Sequence, residues 1–112
     1  MNSAIYHCSG REVVIEQRVA EFVVSGLYEL PFAFFRIEVI LCKEGHFHAS
    51  PNVVVRNTAT NCLEHICGIG ATVDAAVLDA VSGFYGEIDK ESMNREIDEA
   101  TFAWQQPDGY YR

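Results

Sequence analysis

The chain has 112 residues, of which 49% are hydrophobic and 12% aromatic, and this is enough apolar material for a folded core. Its net charge of −8 and pI near 4.8 argue against nucleic acid and anionic membrane surfaces as partners, because both attract clustered Lys and Arg. We expect one small domain over residues 1–112, with residues 105–112 as a loose tail.

The N-terminal sequence lacks a basic region followed by an apolar core, which is the pattern of a secretory signal. The most apolar run, Pro31 to Cys42, carries Arg36 and Glu38 and is too short to span a bilayer. These features predict a cytoplasmic protein, in which four cysteines do not by themselves indicate disulfides.

The first third of the chain is predicted to form a strand and then a helix. Residues 3–8 are apolar, and Ser9-Gly10-Arg11-Glu12 matches a capping box at a helix start. Gly26 is placed to end that helix. The Val-rich sequence also suits a strand. The apolar residues at helical spacing are Ile15, Val19, Phe22 and Val23.

A hairpin is predicted next. From Phe34 to Cys42, apolar and polar residues alternate with a period of two, which indicates a strand with one buried face. Lys43-Glu44-Gly45 is a turn, and residues 46–49 resume as the second strand. Further strands are expected at residues 53–55 and 58–67.

Two helices are predicted to follow. One begins near Thr72 and ends at Gly86, with an apolar stripe of Val73, Val77, Ala80, Val81 and Phe84. The other begins at Asp89 or Ser92, with a buried face of Met93, Ile97, Ala100 and Trp104 and a Glu91–Arg95 pair. The expected fold class is α+β, an antiparallel sheet of three to four strands with helices packed on one face.

The segment from Gly68 to Gly86 reads as a small-residue turn that feeds a helix start. Free backbone N–H groups at such a start can hold a carboxylate or phosphate, or they can be capped by Thr72 or Asp74. A small anionic or amino-acid ligand is therefore expected here, and otherwise the segment is a turn. The candidate ligand-binding residues are Gly68, Gly70, Ala71, Thr72, Val73 and Asp74.

Residues 53–86 resemble the C-terminal regulatory domain of 2-isopropylmalate synthase. The similarity is carried by Val73-Asp74-Ala75-Ala76 and then Ala80, which follow a glycine-containing turn and a run of strands. In this chain Thr72 replaces the proline of that family's turn, and Ala71 stands in place of its second glycine. The resemblance implies a free-standing module that dimerises or binds a ligand, with Gly70, Ala71, Val73 and Asp74 near the site.

Three aromatic residues suggest an interface. Phe102 points away from the buried face of the third predicted helix, and Tyr110 and Tyr111 lie in the tail. Large aromatic side chains in such places indicate a contact with another element or another chain. We expect a homodimer or a protein partner.

Histidines and cysteines give the alternative hypothesis. His46 and His48 are two residues apart on a predicted strand, so their rings share a face. Together with Cys62, His65 and Cys67 they could supply four zinc ligands, or a cysteine nucleophile with a histidine base, although packing and surface roles are commoner for such residues. We favour a non-enzymatic ligand-binding or dimerisation module without a cofactor, and a zinc- or thiol-dependent protein is the alternative.

Overall fold

A computed structural model describes residues 4–15, 18–42 and 44–105. Within these ranges the chain forms nine short strands, one long helix and one turn of 3-10 helix at Glu99–Thr101. The strands are β1 (Ala4–Cys8), β2 (Arg11–Ile15), β3 (Arg18–Val24), β4 (Phe35–Leu41), β5 (Phe47–Pro51), β6 (Val53–Asn57), β7 (Cys62–Glu64), β8 (Gly68–Gly70) and β9 (Phe102–Trp104), and the helix is α1 (Val73–Ser92).

The strands form three antiparallel sheets. β1 and β2 make a hairpin, a four-stranded sheet has the order β3-β4-β5-β8, and a three-stranded sheet has the order β7-β6-β9. Helix α1 packs mainly on β8 and β5 and also reaches β6 and β4. The α+β class predicted from the sequence is confirmed, with two sheets and a single helix packed against them. Within the described residues no helix combines the length and hydropathy that crossing a bilayer requires.

Asn52 joins the two larger sheets. It stands at a bend between β5 and β6, so that one continuous run of chain contributes a strand to each sheet. Its side-chain oxygen accepts a hydrogen bond from the Arg36 N–H at 2.9 Å, and its carbonyl accepts one from the Gln105 N–H at 2.8 Å. The bend therefore leaves these backbone groups paired.

The core lies between α1 and the inner faces of the two sheets. The ring of Phe84 on α1 contacts Phe35 on β4 with a centroid separation of 4.7 Å, and it lies 6.1 Å from Phe102 on β9. The buried cluster comprises Leu27, Phe35, Ile37, Val39, Ala49, Val53, Val55, Ala76, Ala80, Phe84, Ile88 and Phe102.

The predicted helix after residue 9 is wrong. Ser9 and Gly10 both have positive φ, at 52° and 76°, and they form the two-residue turn of the β1–β2 hairpin. Farther on, β3 alternates, because Ala20, Phe22 and Val24 are half-buried and the residues between them are exposed. The Ser-x-x-Glu match was therefore a hairpin turn, and the Val-rich sequence follows its strand preference.

The predicted third helix is also wrong. Helix α1 continues through Gly83 and Gly86 to Ser92. Each glycine costs about 1 kcal/mol of helix stability, and the free energy gained by burying Phe84 and Ile88 is larger than this cost. Met93, which was expected to be buried, is 83% exposed. Pairing with β6 places residues 102–104 in strand β9.

The hairpin at residues 34–49 is confirmed, with Phe35, Ile37 and Val39 buried. Two neighbouring predictions need correction. The strand expected over residues 58–67 forms only at Cys62–Glu64, after a turn in which Asn61 has a φ of 57°. The segment Gly68–Gly70 is strand β8, paired with β5, and not a turn.

Candidate metal centre

The turn between β4 and β5 brings three ligand-type side chains to one face. Cys42 and His46 flank the three-residue loop, where the Cys42 N–H donates to the His46 carbonyl at 2.8 Å. The Gly45 N–H donates to the Cys42 carbonyl at 2.9 Å, and Gly45 has a φ of 87°, as a three-residue hairpin loop requires. His48 stands two residues beyond His46, so it shares the outer face of the sheet with it.

The potential ligand atoms of these three side chains converge. The Cys42 sulfur and one ring nitrogen from each of His46 and His48 lie within 4.8 Å of one another. The two Nε2 atoms are 3.0 Å apart, and the ring centroids are 4.9 Å apart. All three residues are half-buried, on the side of the sheet opposite α1. A convergent Cys/His2 group that remains open to solvent can take up a metal ion.

Two acidic groups adjoin this cluster. Glu44, at the tip of the loop, places Oε1 3.9 Å from the His46 Nε2. On the same face, the Arg18 guanidinium pairs with the Glu38 carboxylate at 3.0 Å, and β3 and β4 hold this pair near Ile40, the residue opposite His48. The Glu44 carboxylate therefore lies beside an imidazole of the cluster, whereas the Glu38 carboxylate is already paired with Arg18.

The structure separates the other predicted metal ligands from this cluster. Cys62 is exposed at the start of β7, and its thiol donates to the Thr60 carbonyl at 3.6 Å. The His65 Nδ1 lies 3.0 Å from the Gln105 Nε2, in the neighbourhood of the three-stranded sheet. Cys67 is exposed and its thiol points to the Gly68 carbonyl at 3.8 Å. Of the five predicted residues, the structure brings together His46 and His48.

Cys42 was missed by the sequence reasoning. The signal was present in the pattern Cys42-x3-His46-x-His48 around a turn that the sequence does predict. A three-residue loop closes with its flanking residues opposite each other, and this register alone would have placed Cys42 beside His46.

Three of the six residues predicted to bind an anionic ligand, Gly68, Gly70 and Thr72, are engaged in packing and capping. Gly68 and Gly70 lie against the backbone of α1, where a Cβ on Gly70 would stand 2.5 Å from the Ala76 nitrogen. The Thr72 hydroxyl accepts the Ala75 N–H at 3.1 Å and caps the helix. The Ile69 N–H donates to the Asp79 carboxylate at 2.9 Å. Ala71 and Asp74 are exposed, and Val73 is half-buried as the first residue of α1.

Phe102 is placed in the core and not on an exposed helix face. It is 7% exposed, and its ring packs edge-on against Phe32 at a centroid separation of 5.0 Å. The prediction of an interface at Phe102 rested on a helix that does not form there. Tyr110 and Tyr111 lie outside the described residues.

No protein family, curated protein or solved structure that we compared with this chain gives a match.

Proposed function

We propose that this protein binds a zinc ion on the outer face of the four-stranded sheet, through Cys42, His46 and His48. The observation that supports the proposal is the convergence of one thiol and two imidazoles within 4.8 Å, on a hairpin whose backbone hydrogen bonds fix their relative positions. This geometry favours the zinc alternative over the anion site at residues 68–74, where the neighbouring N–H groups of Ile69 and Ala75 already have partners.

The separations suit a tetrahedral ion. Zinc bonds of 2.0–2.1 Å to nitrogen and 2.3 Å to sulfur place neighbouring donor atoms about 3.3–3.6 Å apart. The His46 and His48 Nε2 atoms are 3.0 Å apart, so small ring rotations open the required space. Without a metal, one Nε2 carries a hydrogen and donates it to the other Nε2. Metal binding requires that ring to carry its hydrogen on Nδ1 instead, so that both neutral rings offer an Nε2 lone pair to the ion.

The donor set selects the class of metal. A thiolate with two imidazoles suits zinc and similar transition metals, whereas calcium and magnesium prefer shells built from oxygen. Zinc binding also requires deprotonation of the Cys42 thiol, so the affinity should fall as the solution becomes more acidic.

The test is a competition titration of the full chain with Zn²⁺ against a chromogenic chelator. We expect one ion per chain, and we expect Cys42→Ser and His48→Ala each to weaken binding by about 100-fold or more, since even loss of an outer-shell partner costs about 10- to 100-fold. Cys62→Ser is the matched control, because that thiol is exposed and lies outside the cluster. Wild-type affinity in the Cys42 and His48 variants would overturn the proposal.

A further inference from the structure

Glu44 is the residue whose position the zinc site leaves unexplained. It stands at the tip of the β4–β5 loop, and its carboxylate turns back toward the sheet and approaches the His46 Nε2 to 3.9 Å. The residue alternates with the proposed ligands in the pattern Cys42-x-Glu44-x-His46-x-His48. From this geometry we infer that Glu44 supplies the fourth ligand, and that the metal site is closed and non-catalytic. This inference rests on the zinc-binding function proposed above.

Glu44 lies outside the group of three ligand atoms within 4.8 Å of one another, and the movement that it requires relative to His46 is small. In a tetrahedral site, a carboxylate oxygen and an imidazole nitrogen lie about 3.4 Å apart when both are bound at their usual zinc distances. The observed separation is 3.9 Å, and the Glu44 side chain is 69% exposed, so a change of side-chain torsion angles in solvent can supply a shift of about half an ångström toward His46. The His46 side chain, at 32% exposed, is the more firmly held partner.

Charge balance supports the same assignment. A zinc ion held by one thiolate and two neutral imidazoles leaves a formal charge of +1 at a half-buried position. The Glu44 carboxylate cancels that charge, and this reduces the cost of holding the ion away from bulk water. The neighbouring Glu38 carboxylate already pairs with Arg18 at 3.0 Å, so Glu44 is better placed to take this role.

The fourth position decides the class of function. Zinc sites with three protein ligands keep a water molecule that can be activated for hydrolysis, whereas sites with four protein ligands are structural. Closure by Glu44 therefore makes this a metal-stabilised or metal-sensing hairpin and not a hydrolytic centre. It also ties the tip of an otherwise exposed loop to the sheet.

The test uses the full chain loaded with Co²⁺, whose visible absorption reports the coordination number and the entry of new ligands. We expect the wild-type spectrum to be tetrahedral and unchanged by added azide. We expect Glu44→Gln to weaken Co²⁺ binding by about 10-fold or more and to make the spectrum respond to azide, because a solvent position has opened. Glu96→Gln, an exposed carboxylate in the segment after α1, is the matched control and should behave as wild type.

The outcomes separate the two proposals. A wild-type chain that binds neither Co²⁺ nor Zn²⁺ would overturn the metal site itself. A wild-type chain that binds Co²⁺ with a thiolate signature, but whose spectrum shifts with azide as strongly as that of Glu44→Gln, would leave the site standing and disprove closure by Glu44.

Discussion

Glu91 ties the end of α1 to the turn between β6 and β7. Its carboxylate accepts hydrogen bonds from the Thr58 backbone N–H at 2.9 Å and from the Thr58 hydroxyl at 2.8 Å. Arg95 pairs with the same carboxylate at 3.2 Å and donates to the Arg56 carbonyl at 2.6 Å. Because Glu91 is only 5% exposed, these partners are what make its burial tolerable.

The Thr58 hydrogen bonds, and secondarily the charge of Arg95, lower the pKa of Glu91 below its ordinary value of 4.5. A lowered folded-state pKa means that Glu91 contributes stability above that ordinary value, and that the contribution is lost as the pH falls through the folded-state pKa. We expect Glu91→Gln to lower the free energy of unfolding at pH 7, and the gap from wild type to narrow below about pH 4. Urea unfolding across this pH range measures it.

The control for this experiment is Glu87→Gln on the same helix. Glu87 pairs with the exposed Lys90 at 3.1 Å, and surface pairs of this kind contribute little. Its unfolding curve should follow wild type at each pH. A Glu91→Gln variant whose stability loss is the same at pH 7 and pH 3 would contradict the electrostatic explanation.

Contacts between residues close in sequence were predicted, whereas contacts across a hairpin or between distant segments were missed. The Glu91–Arg95 pair was predicted from its i,i+4 spacing, and the structure contains it, although Arg95 lies three residues beyond the end of α1 and the predicted third helix does not form. Cys42 was missed because its neighbours His46 and His48 meet it across a hairpin. Thr58 and Glu91 are 33 residues apart in the sequence, and a local sequence pattern does not predict a contact at that separation.

At the scale of elements, the contact between α1 and β8 is unusually close. A Cβ on Gly68 would overlap the backbone of Ala76 and Ala80, with the Ala80 Cα at 2.8 Å. The two glycines therefore let a strand lie directly on a helix, with small side chains on the facing surface of α1. The small residues that the sequence predicts as a turn are explained instead by the close packing of β8 on α1.

This packing predicts opposite effects for two alanine substitutions. Gly68→Ala should destabilise the fold by about 3 kcal/mol or more, because the atoms it meets belong to backbone and cannot move aside easily. Gly86→Ala, inside α1 with nothing within 4 Å of the added Cβ, should stabilise the fold by about 0.5–1 kcal/mol. Chemical denaturation of both variants measures the difference. Equal effects would contradict the close contact.

Strands and helices were predictable where apolar and polar residues recur with the period of a strand or a helix, so that one face is apolar. β4 and the start of α1 follow from such patterns, with Thr72 as the cap that the sequence indicates. Residues 10–24 and 93–104 also carry helix-like spacing, but Arg11–Ile15, Arg18–Val24 and Phe102–Trp104 pair as strands with β1, β4 and β6. Tertiary pairing outweighs helical spacing at these places.

At the scale of the whole molecule, one core serves both larger sheets. β5 and β6 run through Asn52 from one sheet into the other, and α1 lies across their inner faces. Phe32, Phe84 and Phe102 form ring contacts that link the loop before β4, the helix and β9. Removal of a central ring should therefore weaken the molecule as a unit.

We expect Phe102→Ala to lower the free energy of unfolding by about 3–5 kcal/mol, as loss of a buried aromatic ring does, without a specific change in association. Denaturant unfolding combined with light scattering on the folded fraction measures both properties. Met93→Ala is the control, because that side chain is 83% exposed and should matter little. A Phe102→Ala chain with wild-type stability and altered subunit number would instead support an interface role.

X-ray absorption at the zinc edge of the metal-loaded full chain tests most directly whether Cys42, His46 and His48 hold a metal ion, because sulfur is distinguished from nitrogen and oxygen by distance and scattering. We expect one sulfur at about 2.3 Å and three nitrogen or oxygen atoms at about 2.0–2.1 Å. A shell with no sulfur, or with two sulfurs drawn from Cys62 and Cys67, would contradict this expectation.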